Sequence, residues 1–258
     1  MIRITIWTLA LSLALASAAI AGPTAQQKCE GAKVTALANR TACRAGERKN
    51  EILGKTPNLA KCAAGFAKAV AAADKNAARR SASCRWLDNT DGTVTDLDTG
   101  LQWELKTYDP AAPFPNVHNV DTFWSWQGYV PNPGDPIVFP AGNAFVVALG
   151  ALNAGISFDG VATRNCFADR CDWRMPTVEE LRTILAAQYP DCPAAPPPAS
   201  CTTIPGLTNT NPMSNGYWTA TTDDHDPTKA WMVSFRDGFI SSQPKAAGGF
   251  VRAVRGEM

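Results

Sequence analysis

The 258-residue chain has only two histidines, His118 and His225, far apart in sequence. A histidine-based metal site or catalytic triad is therefore poorly supplied. No two of its eight cysteines have C-x-x-C spacing, which leaves a zinc ribbon or a thioredoxin-like centre without support. There is no phosphate loop, no cofactor fingerprint and no nucleophile–base set. The residues thus imply no cofactor, no resident metal and no enzyme. Beyond the first twenty residues, no apolar run could cross a bilayer, which takes about 20 residues.

Those first residues carry the basic Arg3, an apolar run from Ile4 to Ile20 rich in Leu and Ala, and the small-x-small sequence Ala19-Ile20-Ala21. The pattern predicts a signal peptide over residues 1–21, removed on export. No cysteine follows at once, so a lipoprotein anchor is not expected. Cys29, Cys43, Cys62, Cys84, Cys166, Cys171, Cys192 and Cys201 all fall in the mature chain. An even count in an exported protein favours disulfides, and a secreted, periplasmic or cell-surface location.

The overall net charge of +1 hides two opposed halves. Residues 26–85 hold 13 Lys and Arg against 4 Asp and Glu, and residues 86–258 hold 10 against 19. A basic arm precedes an acidic head. The arm, residues 22–85, is rich in Ala, Lys and Arg with almost no aromatics. Its pattern predicts helices over about 28–50 and 57–82, with Gly54 and Pro57 at the turn, Thr56 as cap and Pro57 at the first helical position. On one helix Cys29 and Cys43 would lie roughly 21 Å apart at 1.5 Å per residue. A disulfide needs Cα atoms within about 7 Å, so neither these two nor Cys62 and Cys84 can pair. An antiparallel helical hairpin instead predicts nested bridges Cys43–Cys62 and Cys29–Cys84, stapling a module too small to hold by its own core. Its charge suits an anionic polymer, plain solvation, or docking on the acidic head.

From Trp86 the pattern changes to short strands with two short helices. Strands are expected at Thr93–Asp96 and Leu101–Leu105 around an Asp98-Thr99-Gly100 turn. Others follow at Tyr217–Thr222, Ala230–Phe235, Phe239–Gln243 and Gly249–Arg255, with a tight turn at Arg236-Asp237-Gly238. Helical spacing covers Asn143–Asn153, ending at Gly155. Thr177 and Glu180 form a capping box for a helix to about Gln188, and Pro176 separates it from the extended segment before it. Two helices among antiparallel strands make the head, residues 86–258, α+β.

Several segments together carry a family resemblance: Asn89–Trp103 (NTDGTVTDLDTGLQW), Asp172–Leu181 (DWRMPTVEEL), Tyr217–Thr222 (YWTATT), Ala230–Gly238 (AWMVSFRDG) and Gly249–Gly256 (GFVRAVRG). In order and spacing they resemble the Lcl C-terminal domain family over about residues 86–256. The resemblance implies a C-type-lectin-like fold on a secreted or surface protein, the name-giving member being a bacterial adhesin that binds sulfated glycans. Such a ligand needs clustered positive charge, and this head is acidic. Arg236, Lys245, Arg252 and Arg255 in the last strands and turns are the local exceptions, with Arg236 and Lys245 the better placed for the surface.

The aromatic insertion Phe114–Phe139, long for a loop, offers Phe123, Trp124, Trp126 and Tyr129 for stacking on sugar rings or a protein partner, or as a flap packed on the sheet. Trp124, Trp126, Tyr129, Arg236 and Lys245 are the expected ligand contacts. In the Asp172-Trp173-Arg174 block, Trp173 is expected in the core and Arg174 on a carboxylate. Asp223-Asp224-His225-Asp226 has metal-like composition but reads as a polar loop, and Asp88–Gly92 fails EF-hand spacing and reads as a turn. Cys166-x4-Cys171 matches the thiol pair of formylglycine-generating enzymes, which would suit copper(I), but precedes the Asp-Trp-Arg block and reads as a loop disulfide. Cys192–Cys201 would close the Pro-rich excursion between them. The expected partner is a glycan or cell-surface polymer, or an envelope protein, with self-association possible and no specific nucleic acid. These residues fit an adhesin or carbohydrate-binding module, or an envelope interaction module, ahead of a thiol or copper enzyme.

Overall fold

A computed structural model describes residues 22–82, 84–107, 116–120, 122–126, 144–154, 166–186, 201 and 216–258. The leader at 1–21, Tyr129, Cys192 and most of the aromatic insertion lie outside the described residues. No helix among the described residues is long and apolar enough to cross a membrane.

Helix α1 spans Ala25–Ile52 and α2 Leu59–Ala78. α1 starts earlier than its periodicity indicates because Thr24 and Gln27 form a reciprocal capping box. The cap of α2 is Asn58, not Thr56. The Asn58 side chain accepts the Lys61 N–H at 3.0 Å, and the Asn58 backbone N–H donates to the Glu47 carboxylate of α1 at 2.8 Å, so the turn is tied to the preceding helix. Cys62, Phe66, Val70, Ala73 and Ala77 make the buried stripe of α2. Disulfides Cys43–Cys62 beside the turn and Cys29–Cys84 at the far end set the two helices antiparallel.

The buried stripe of α1 is unusual in kind: Cys29, Lys33, Ala36 and Arg40. Two cations stand where a self-contained hairpin would carry apolar residues, and the head explains them. The Lys33 ammonium, 1% exposed, bridges Asp74 of α2 at 2.6 Å and Asp98 of the head. Arg40 donates to the Thr99 carbonyl at 2.7 Å and the Glu257 carbonyl at 2.9 Å. The basic arm therefore docks on the acidic head by its α1 face.

The head combines helices with antiparallel strands. Strands β1 (Trp86–Asp88), β2 (Thr93–Asp96), β3 (Gln102–Glu104) and, late in the chain, β9 (Val254–Arg255) form one sheet in that order. A second, two-stranded sheet pairs β4 (Trp124–Ser125) with β8 (Gly248–Gly249). The third is the meander β5 (Gly216–Asp223), β6 (Asp226–Ser234) and β7 (Ile240–Pro244). Residues 249–255 are not one strand. Their two ends serve different sheets, and Phe250–Ala253 between them are buried where the chain crosses the core. A π-helical turn, Ala144–Ala148, leads into α3, Leu149–Ala154. Helix α4, Val178–Thr183, starts on the Thr177 capping box. It stops well before Gln188 because the Ala186 N–H donates to the Cys201 carbonyl at 2.9 Å, drawing the chain out of the helix.

Two core clusters join these sheets. One holds Val94, Leu101, Trp103, Leu181, Tyr217, Phe235 and Phe250. The other holds Trp124, Leu152, Trp173, Met175, Trp218 and Val251.

Candidate functional site

The β4–β8 pair creates a corner where two of the expected ligand contacts, Trp126 and Lys245, meet. Ser125 lies opposite Gly248, so Trp126, the next residue, emerges beside the segment that carries Lys245. The Lys245 N–H donates to the Thr228 carbonyl at 2.9 Å, fixing that segment against β6. The Lys245 ammonium sits 4.1 Å above the Trp126 ring centroid, a cation–π contact. Phe145 meets the same indole edge-on at 4.8 Å, and the indole N–H donates to the Thr219 carbonyl at 2.7 Å. The result is a half-buried aromatic plane, oriented by a hydrogen bond and flanked by one cation and a second, exposed ring.

The other candidates do not join this corner. Trp124, expected as a ligand contact, is 1% exposed: its side chain lies in the core, and its carbonyl accepts the Trp218 indole N–H at 2.8 Å. The strand pairing of β4 turns it inward, and Gly249 opposite lacks the side chain that would keep Trp218 away. Arg236 is exposed on the β6–β7 turn, at the other end of β7 from Lys245. With about 3.3 Å per strand residue, the two are more than roughly 15 Å apart along the hairpin. Arg252 is fully buried and donates to the Glu104 carbonyl at 2.8 Å. Arg255 is held by Asp172 at 2.7 Å and by Gln102 at 2.6 Å. The four late cations therefore do not form one patch.

Several candidate motifs take structural positions. Trp173 is buried, and Arg174 grips Glu180 through both guanidinium ends at 2.7 and 2.6 Å. Asp223 accepts the His225 N–H and the Ser242 hydroxyl, while Asp226 accepts from Thr228, so the acidic run closes the β5–β6 turn. Asp88 and Asp91 likewise accept the N–H groups of Thr90 and Thr93. Cys166 and Cys171 are bonded to each other around a short 3₁₀ turn, and so present no thiolate. Cys201 is disulfide-bonded, while the Cys192 end of the expected bridge lies outside the described residues.

The sequence reading missed a buried charge network. The Glu104 side chain is fully buried and meets Lys106 at 2.9 Å and His118 at 3.0 Å. Lys106 also donates to the Val117 carbonyl, and the Ala253 N–H reaches the Glu104 carboxylate at 3.3 Å. Burial alone would raise the Glu104 carboxyl, but the Lys106 charge and then the His118 contact outweigh it and lower it to about 2. Burial lowers the Lys106 ammonium from its ordinary value, with Glu104 opposing. The cue in sequence was the Glu-x-Lys spacing, which places both side chains on one face of an extended segment.

Arg40, Arg44 and Arg48 were also missed as a set, although four-residue spacing on a helix aligns them on one face. They line a cleft of about 620 Å³ between α1 and the head, whose other wall includes Arg174 and Arg255.

No curated protein matches the chain. Comparison with family models matches residues 92–255 to the Lcl C-terminal domain, covering the head from the β1–β2 turn through β9. The chain belongs to the Lcl C-terminal domain family.

Proposed function

We propose that the protein is an exported, non-catalytic carbohydrate-binding protein, a surface adhesin or a module of one, with a C-type-lectin-like head. The observation that carries this reading is the Trp126–Lys245–Phe145 corner. A sugar ring stacks on an aromatic face through its C–H groups, and the Lys245 ammonium, which covers one face of Trp126 in the free chain, is placed to turn to the sugar's hydroxyls or an acidic substituent. The bonded Cys166–Cys171 pair supports binding over thiol or copper chemistry. The apolar leader and the disulfides fit an oxidising compartment outside the cytoplasm.

A glycan array probed with the chain from Gly22 onward tests the reading. The whole chain is needed because Lys33 and Arg40 anchor α1 on the head, so the head alone would expose a surface that is normally covered. Glycan binding is expected, with Trp126→Ala lowering affinity by about tenfold or more, as for a central aromatic contact. Lys245→Ala should weaken binding less, and Arg236→Ala should leave it unchanged. Unchanged binding in Trp126→Ala would move the site elsewhere, and a silent array would remove the carbohydrate reading.

A further inference from the structure

We propose that the cleft between α1 and the head binds an acidic peptide segment of a partner protein, and that Glu257 occupies this site in the free chain. Residues from both sides form it. Arg40, Arg44 and Arg48 come from α1; from the head come Arg174, already paired with Glu180, and Arg255, already paired with Asp172 of the same lining, so the unbalanced positive charge is that of α1. The α1 half lies outside residues 92–255, so the site belongs to the combination of arm and head and not to the family domain by itself.

The short Gly256–Glu257 segment shows what chemistry the cleft accepts. Arg174 donates to the Gly256 carbonyl at 2.7 Å from one wall, and Arg40 to the Glu257 carbonyl at 2.9 Å from the other. The Glu257 carboxylate pairs with Arg44 at 2.8 Å and stands 3.7 Å from Arg48. Successive backbone carbonyls and a side-chain carboxylate are thus read together, which is the pattern of an acidic residue in a peptide. A polysaccharide offers anions but no such carbonyl series.

The occupancy is loose where a competitor would enter. Glu257 is 58% exposed and Arg48 is 72% exposed. Deeper in the cleft, Arg40 pairs with carbonyls and with the face of Phe66, and burial followed by the charge of Arg44 lowers its pKa. A guanidinium in that setting is stabilised by added negative charge. A partner segment carrying several carboxylates would supply it and displace the single one of Glu257.

Fluorescence anisotropy with fluorescein-labelled hexaglutamate, titrated with the chain from Gly22 onward, tests the proposal. Glu257→Gln should tighten binding by about tenfold, and Arg44→Gln/Arg48→Gln should weaken it by about tenfold or more. Lys68→Gln/Lys75→Gln makes the same charge change on exposed positions of α2 outside the cleft, and should stay within about twofold of the parent. Melting curves confirm that each variant is folded. Equal losses in the two double variants would show non-specific attraction and overturn the proposal. So would a Glu257→Gln protein no tighter than its parent. Heparin binding through the same arginines, with no hexaglutamate binding, would reassign the cleft to an anionic polysaccharide. None of these variants touches Trp126 or Lys245, so this result stands or falls apart from the glycan reading.

Discussion

Glu104 shows how much a single residue can set. It is a carboxylate in the core, and its partners decide its charge. Removing one member of a buried pair leaves the other uncompensated, which typically costs about 3–5 kcal/mol. Glu104→Gln should therefore lower stability by about that much at neutral pH, read by thermal or urea unfolding, because the buried Lys106 would lose its counter-ion. The pH dependence has a definite sign. The folded-state pKa is about 2 against an ordinary 4.5, so the carboxylate stabilises the fold fully above about pH 4.5. That contribution is lost as the pH falls from 4.5 towards 2. The parent should lose stability through this window, whereas Glu104→Gln should follow a flatter curve. Parallel curves would mean that other carboxylates dominate acid unfolding.

At the scale of elements, what was legible followed from local chemistry. The Asp98-Thr99-Gly100 turn, the Thr177–Glu180 capping box and the meander strands each carry their signal within a few residues, and each forms. The misses depend on distant partners. Residues 249–255 look like one strand because they are continuously apolar around Arg252, yet their ends pair with β4 and β3. Trp124 looked available because it sits among loop-forming residues, and only its pairing with Gly249 turns it into the core. Of the expected ligand residues, Trp126 and Lys245 meet, 119 positions apart in sequence, with nothing local to signal it. The β4–β8 pair is thus the element that builds the corner, and Gly249 is its tightest point. A Cβ there would lie 2.4 Å from Met232 Cε and 2.7 Å from the Trp218 indole nitrogen. The methionine can move, but Trp218 is wholly buried and bonded to the Trp124 carbonyl. Gly249→Ala should cost about 1–3 kcal/mol through overpacking. It should also displace Trp126 from Lys245, seen as a change in tryptophan fluorescence together with a lower melting temperature. A variant with the parent's spectrum and stability would show that the β4–β8 contact yields freely.

For the whole molecule, the question is why a helical arm of charge +9 stays on a head of charge −9. Diffuse attraction between the two is screened over about 10 Å in ordinary salt, so it does not fix a geometry. The geometry comes from a few contacts at the turn between β2 and β3. Gly100 has a φ of +81°, and a side chain there would lie 2.6 Å from Leu37 Cδ2, so the helix approaches the turn closely because the position is glycine. Beside it, the buried Lys33 ammonium ties α1 to Asp74 and to Asp98 at once. Both carboxylates keep access to water, at 49% and 36% exposure, so each can be solvated if the lysine is removed. Lys33→Met should therefore be mild, within about 1–2 kcal/mol, since a similar volume fills the site and no charge is stranded inside. Lys33→Glu would instead bury a carboxylate facing two others, and a loss of about 3–5 kcal/mol is expected. Hydrogen exchange should place that loss at the seam, with faster exchange in the middle of α1 and at the Gly100 amide, which bonds to the Asp96 carbonyl at 2.7 Å. Equal effects of the two substitutions would mean that packing around Leu37 and Gly100, and not the lysine charge, holds the arm on the head.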